Sequence, residues 1–187
     1  MSARRLWLIR HAATGAPPGV AIGVTDLPLS AAGRARAAGL AEELAGRPLT
    51  RIVSSDLRRA RETAAAIAEP HHLAVEPVPG LREIDFGSWE GRALTELWEE
   101  DPDAAAAWEA DLRRTPPGFG EPFWAFERRL AACWHELSRD GNNAEMALVA
   151  HRGPLVVLWQ LLTGVPLEEA WRKRFALGSA TSLDISC

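Results

Sequence analysis

Apolar positions along the chain follow two rhythms. Leu6-Trp7-Leu8-Ile9 is a short unbroken run, too short for an ordinary helix and closed by a polar cluster and a glycine, so it reads as a strand buried on both faces. Thr50 to Val53, Leu73 to Val78 and Glu145 to Ala150 read as further strands, and Thr181 to Ile185 as a last edge strand. Helical stretches lie between them. Ser30 is an N-cap for a helix over residues 31–44 that Gly46 ends, and Ser54-Ser55-Asp56 caps a second, from Leu57 to about Ala68, that Pro70 stops. Phe123 to Leu137 is amphipathic, and Pro154 opens a helix that runs to Gly164. Strand, helix, strand, helix in this order predicts βαβ units, a parallel sheet and an α/β fold.

From Arg92 to Phe123 the pattern changes. Trp98, Trp108, Phe119 and Phe123 are scattered among acidic residues, Ala104 to Ala107 form an alanine run, and Thr115-Pro116-Pro117-Gly118 breaks the chain. The expectation is a helical cap over residues 92–123, inserted into one domain spanning 1–187 and packed over one end of the sheet. Its aromatic side chains could stack on a substrate's aromatic base or form a local core.

Composition narrows the classes. The 187 residues, 47% hydrophobic, suffice for one full core. No window approaches the roughly twenty apolar residues of a membrane span, and the first strand follows the N-terminus without signal-peptide architecture, so a cytoplasmic protein without membrane association is expected. Cys133 and Cys187 give neither metal spacing nor a disulfide framework. A net charge of −4 and a pI near 5.8 argue against nucleic acid as a partner. Every basic residue but Lys173 is arginine and there is no tyrosine, so a phosphate site here has to be built from Arg and His.

Two strands end in histidine, at Arg10-His11 and at His151. In a parallel sheet both fall on the carboxyl edge, where ligands of open α/β sheets bind. Ser54-Ser55-Asp56-Leu57-Arg58-Arg59-Ala60-Arg61-Glu62-Thr63 brings further arginines to that edge. Guanidinium forks beside imidazoles suit an anionic ligand.

On these residues the sequence resembles the histidine phosphatase superfamily, also called the phosphoglycerate mutase-like fold, over nearly its whole length. Arg10-His11 with Thr14 is similar to the family's Arg-His-Gly-x-Ser/Thr signature, Arg59 matches its phosphate-binding Arg, Leu81-Arg82-Glu83 the segment bearing its acid, and His151 its second His. The resemblance implies a three-layer α/β/α fold with a mostly parallel sheet and hydrolysis of a phosphomonoester without metal or cofactor. His11 is then the nucleophile, Glu83 the acid and base, and Arg10, Arg59 and His151 the grip on the phosphoryl oxygens. Asp85 is a second carboxylate beside Glu83. Thr14, Thr25 and Arg152 join as candidate substrate contacts, though the threonines could be turn-formers and Arg152 could face solvent.

Four residues depart from the family pattern, one of them Arg152 after His151, where a small residue is usual. Ala12 replaces a usual Gly, so a positive φ there would cost about 1 kcal/mol or more. Pro17 stands where mutases carry a phosphate-contacting Asn, and Pro122 replaces a common Ser after Gly120-Glu121. Gly23-Val24-Thr25-Asp26-Leu27-Pro28-Leu29 and Leu81-Arg82-Glu83-Ile84-Asp85-Phe86-Gly87-Ser88-Trp89-Glu90-Gly91 are most similar to the alpha-ribazole phosphatases, which act in cobalamin assembly. The partner expected is a small-molecule phosphate ester, and a homodimer stays open. The alternatives are a broad-specificity sugar or acid phosphatase, a mutase-like enzyme, and an inactive phosphate-binding regulator.

Overall fold

The first apolar run becomes β1 (Arg4–Arg10), which lies inside a five-stranded sheet because its side chains are apolar on both faces. β1 pairs in parallel with β4 (Glu145–Ala150), β4 with β2 (Arg51–Ser54), and β2 with β3 (Val75–Pro77). β5 (Ala180–Ile185) closes the other edge, antiparallel to β1, giving the order β3-β2-β4-β1-β5. This computed structural model describes residues 4–111, 113, 118–139 and 145–185. Thr115, Pro116, Pro117 and Cys187, singled out in the sequence, lie outside them.

Alternating side chains feed two cores. Leu6, Leu8, Met146 and Leu148 face α5 (Phe123–Ser138) and α6 (Arg152–Thr163), burying Phe126, Leu130, Val156 and Leu158. Ile9, Ile52, Ala147 and Val149 face α1 (Ala31–Leu44) and α2 (Arg58–Ala68), burying Leu40, Leu44, Ala64 and Ile67. The result is the three-layer α/β/α arrangement, mostly parallel, with one antiparallel edge.

The excursion folds as α3 (Leu94–Glu100) and α4 (Pro102–Ala110). Asp101 caps α4 by accepting from the Ala104 amide at 3.0 Å, and Pro102 occupies the first helical position, where no donor is needed. Trp89, Leu97 and Ala21 bury a small separate core against which Trp98 and Trp108 pack. Among the described residues no helix is long and apolar enough to cross a membrane.

Several local expectations change. The N-cap of α2 is Leu57, which offers no side-chain cap; Ser55, Ser54 and Asp56 have other partners, and Asp56 pairs with Arg82. α2 does end at Ala68, as expected of Pro70, which lies in a 3₁₀ turn, Glu69–His71, before His72 at φ 54°. Pro154 is the third residue of α6 rather than the first, where its missing N–H still has no intrahelical acceptor. α7 (Leu167–Arg172) is six residues long, too short to leave a periodic signature.

α1 is docked on the loop leaving β1. The Ser30 amide and hydroxyl both donate to the Ala13 carbonyl, and a Cβ on Gly33 would stand 1.9 Å from that same oxygen. Gly33→Ala therefore lowers the melting temperature, by about 2–4 °C for each of the 1–3 kcal/mol that overpacking costs, although alanine is the better helix former. Gly39 lies on the same helix, and its added Cβ would meet only the flexible Arg36 tip at 3.2 Å. Gly39→Ala should melt at or above wild type. Thermal unfolding of both variants by circular dichroism checks the contrast.

Candidate active site

The parallel register of β1 and β4 sets Arg10 beside Ala150, and the His11 amide donates to the Ala150 carbonyl at 2.9 Å. The next side chain on each strand is a histidine. Their rings lie 5.0 Å apart, centroid to centroid, tilted by 58°.

His11 is buried and its Nδ1 is 2.8 Å from the Ala12 carbonyl. A carbonyl only accepts, so Nδ1 carries the proton and Nε2 is left with a lone pair. Burial, and then the cations of Arg59 and Arg10, push the His11 pKa down from 6.5 to about 3. Ala12 adopts no positive φ, so its methyl carries no backbone strain. Its amide donates to Thr63 Oγ1 at 3.0 Å, and the Thr63 hydroxyl donates to the Arg59 carbonyl at 2.8 Å. Thr63 thus ties the orienting carbonyl to α2, a role the sequence did not reveal.

Arg59 is buried, and all three of its nitrogens are engaged. Nε donates to His151 Nδ1 at 3.1 Å, Nη1 to the Thr25 carbonyl at 2.7 Å and Nη2 to the Gly23 carbonyl at 2.6 Å. A guanidinium has five N–H donors, which leaves two for a ligand. Because His151 Nδ1 accepts, neutral His151 carries its proton on Nε2 and donates to Ser55 Oγ at 2.9 Å. His151 is held well below the ordinary histidine pKa by burial, then Arg59 and His11. Both its nitrogens are occupied here, so a direct contact with phosphoryl oxygens requires a ligand to displace one of these two bonds. Arg10, at the strand end, donates from Nη1 to the Phe175 carbonyl at 2.8 Å; its Nε is buried with no partner among the described residues.

Glu83 is also buried. Its oxygens accept from the Ile84 amide at 3.1 Å and from the Gly153 amide, in the first turn of α6, at 3.1 Å. Burial raises its pKa, with those two amides and the cations of Arg59 and Arg10 acting against the rise. Gly153 makes this approach possible, since a Cβ there would lie 2.2 Å from Glu83 Oε1. Behind it, Arg129 of α5 clasps the loop: it donates to the Gly80 and Arg82 carbonyls and forks onto Glu121. Asp85 instead accepts from the Gly87 amide at 2.7 Å, a turn-forming contact.

A cavity of about 430 Å³ opens between Arg10, His11, Arg59 and Glu83, walled by the loop from Ala13 to Val20 with Pro17 in it. Thr14 lies on this wall and accepts from the Ala16 amide at 3.3 Å. Thr25 does not reach the cavity, because its hydroxyl donates to Glu90 Oε2. Arg152 lies over the Trp171 ring at 4.6 Å, on the rim of a second compartment that shares Arg10 and Glu83 with the first.

Sequence reasoning also passed over Glu90. Its carboxylate accepts from the amides of Gly23, Val24, Thr25 and Phe86 and from the Thr25 hydroxyl. It thereby shapes the loop whose carbonyls hold Arg59. An acid between Trp89 and Gly91 reads as surface in a one-dimensional pattern, and only the fold turns it inward.

A family model for the histidine phosphatase superfamily, branch 1, matches residues 6–186. The adenosylcobalamin/alpha-ribazole phosphatase of Escherichia coli strain K12 is 35% identical over 183 residues, covering 97% of this chain and 90% of the relative. The glucosyl-3-phosphoglycerate phosphatase of Mycolicibacterium vanbaalenii is 34% identical over 194 residues, covering 100% and 85%. The crystal structure of the alpha-ribazole phosphatase from Shigella flexneri superimposes with a TM-score of 0.88 at 34% identity, over 97% of this chain and 91% of that one. With these likenesses added to the paired histidines at one sheet edge, the chain belongs to the histidine phosphatase superfamily and is a phosphatase on its phosphoglycerate mutase-like α/β fold.

Proposed function

We propose that this chain hydrolyses alpha-ribazole 5′-phosphate, a small-molecule phosphate ester, through a phosphohistidine on His11. The reading takes residues 1–187 as one domain with 92–123 as its cap. The observation that carries the chemistry is the Nδ1–H to Ala12 bond, which leaves a neutral, buried Nε2 lone pair beside two arginines. The substrate is supported by the 35% identical relative and by the aromatic compartment beside the site.

In the first half-reaction Nε2 of His11 attacks phosphorus in line. The P–N bond forms as the P–O ester bond breaks, and protonated Glu83 gives its proton to the departing alkoxide. In the second, Glu83 takes a proton from water, whose oxygen bonds to phosphorus as the P–N bond breaks. Inorganic phosphate leaves, and His11 and Glu83 return to their starting states. Arg10 and the free donors of Arg59 carry the charge on the equatorial oxygens. An oxygen that takes over Arg59 Nε frees His151 Nδ1, and its negative charge raises the His151 pKa. His151 then becomes a further donor.

The decisive test is rapid quench with labelled ester: an acid-labile, base-stable label on His11 is expected, and its absence would overturn the mechanism. Glu83→Gln, offered nitrophenyl phosphate, whose leaving group needs no acid, should give a burst of about one equivalent of nitrophenol and then slow turnover. With alkyl esters the same variant should lose about 10²–10⁴-fold in rate, as expected when a positioned acid is removed.

The pH profile of kcat/KM tests the protonation states. Because His11 is pushed down to about 3, any inflection of kcat/KM at about 6 as pH falls should be that of the ester's own second phosphate ionisation, with none added at the ordinary histidine value of 6.5. Its alkaline limb should follow loss of the Glu83 proton and vanish in Glu83→Gln. Stability has the same origin: between about pH 6.5 and 3 the unfolded chain binds the proton that folded His11 refuses, so His11 makes the fold less stable as pH drops through that window.

Glu90→Gln keeps the shape but turns an amino group toward backbone amides. The loop carrying the Gly23 and Thr25 carbonyls shifts, and Arg59 with it. A fall in kcat/KM of about ten- to a hundredfold is expected, with weaker inhibition by inorganic phosphate, since misplacement by about 1 Å can cost that much. Steady-state kinetics with phosphate as product inhibitor measures both.

A further inference from the structure

Strands β2 and β4 end side by side at the floor of the site. Ser54 stands opposite Val149 in their parallel register, and the Ser55 amide donates to the Val149 carbonyl at 2.9 Å. The first residues beyond the two strands are Ser55 and His151, and they meet through their side chains, Nε2 to Oγ at 2.9 Å. Ser55 is fully buried, so no ligand oxygen reaches it. On the other edge of the imidazole Arg59 Nε donates to Nδ1 at 3.1 Å. Two groups thus hold the ring.

They hold it differently. Arg59 Nε belongs to the guanidinium that grips the phosphoryl group, so a ligand oxygen can draw it off Nδ1. Ser55 stays where it is: its backbone is tied to β4, and its oxygen accepts from the Leu57 amide at 3.3 Å as well as from His151. With those two donors both lone pairs of the hydroxyl are in use. The proton it accepts is fixed on Nε2, which leaves Nδ1 as the nitrogen where His151 can bind another. That nitrogen faces Arg59 and hence the incoming anion. A buried imidazolium needs an acceptor on each N–H, and here the ligand supplies one and Ser55 the other.

We propose that Ser55 is a positioning residue for phosphoryl transfer: its hydroxyl oxygen holds the Nε2 proton of His151, so an anion that displaces Arg59 Nε meets a doubly protonated ring aimed through Nδ1. The step is the uptake of a proton by Nδ1, drawn from solvent as the anion binds, and no other covalent bond changes. In the free site Arg59 from α2, His11 and Arg10 from the end of β1 and Arg129 from α5 all oppose a charge on His151, and burial adds to them. The negative charge of the ligand reverses that balance. Without the serine oxygen the ring answers a ligand differently: its single proton settles on Nδ1, Nε2 is left bare, and the contact with the anion is neutral. The inference rests on the phosphatase reading for its ligand, but it is read from binding and ring protonation as well as from turnover.

The test uses isotope-labelled histidine and tungstate, a tetrahedral dianion that carries no proton near neutral pH. Nitrogen chemical shifts tell the two neutral tautomers of a ring from the imidazolium, and His151→Gln identifies the His151 signals among the five histidines. Wild type should show His151 protonated on Nε2 alone when free and on both nitrogens with tungstate bound. Ser55→Ala should lose the doubly protonated form, bind tungstate about ten- to a hundredfold more weakly and lose as much in kcat/KM, the worth of a hydrogen bond to a charged group. Melting by circular dichroism checks that this variant folds; if it does not, Ser55→Cys, which keeps the shape and weakens the acceptor, carries the same comparison with a smaller loss. A wild-type complex in which His151 stays neutral, or an alanine variant that keeps the doubly protonated ring or the wild-type affinity, overturns the role of Ser55 while leaving the phosphatase intact. Failure of tungstate to bind, or binding that Arg59→Ala does not weaken, overturns the anion site on which both readings stand.

Discussion

One buried cation organises the site. Arg59 is 1% exposed, and a guanidinium removed from water that far is tolerable only when its donors are taken and opposite charge is near. Its Nε is taken by His151 and its Nη groups by two carbonyls of a loop that Glu90 gathers from behind. Burial pulls the Arg59 pKa down, and Glu83, Glu90 and Asp26 pull it back. His11, His151, Glu83 and the loop carrying Gly23 and Thr25 thus share a single electrostatic partner. Changing any of them alters the charge balance of the rest.

The same burial sets two opposite protonation states. It disfavours charge on His11 and on Glu83 alike, pushing the imidazole towards its unprotonated form and the carboxyl towards its protonated one. Under the proposed mechanism, a phosphotransfer nucleophile and a leaving-group acid need shifts in these directions. The arginines strengthen the first effect and oppose the second, so Glu83 depends more on its depth in the fold than His11 does. Gly153 secures that depth, because any side chain at this first turn of α6 would push the carboxylate outward.

How far the sequence could be read follows from which features are local. Unbroken apolar runs located β1 and β4, and polar strand ends located His11 and His151, because both signals lie within a few adjacent residues. The helices of α1 and α5 showed through caps and periodicity. Glu90, Thr63, Ser55 and Arg129 did not show, since each acts through a partner more than a helical turn away or across the sheet. Ser55 looked like a helix cap and is a histidine partner; Thr25 looked like a substrate contact and is a carboxylate ligand. In both cases a short polar side chain was assigned to its chain neighbours when tertiary structure had given it a better acceptor or donor.

The cap follows a different logic from the catalytic floor. Trp98 and Trp108 pack with Trp89 and Leu97 in a small core of their own, while Phe123 joins the main core beneath the sheet. Strand register and a buried ion network determine the floor, where a substitution disturbs several partners at once. Residues 92–123 are tied to the loops around the site by backbone bonds between Ala21 and Arg92, Leu94 and Gly19, Ser88 and Gly118, and Glu121 and Asp85, and Phe86 packs against both the main core and the tryptophans. In this arrangement the buried ion network at the sheet edge and the aromatic residues beside it belong to separate layers of packing, joined by Phe86.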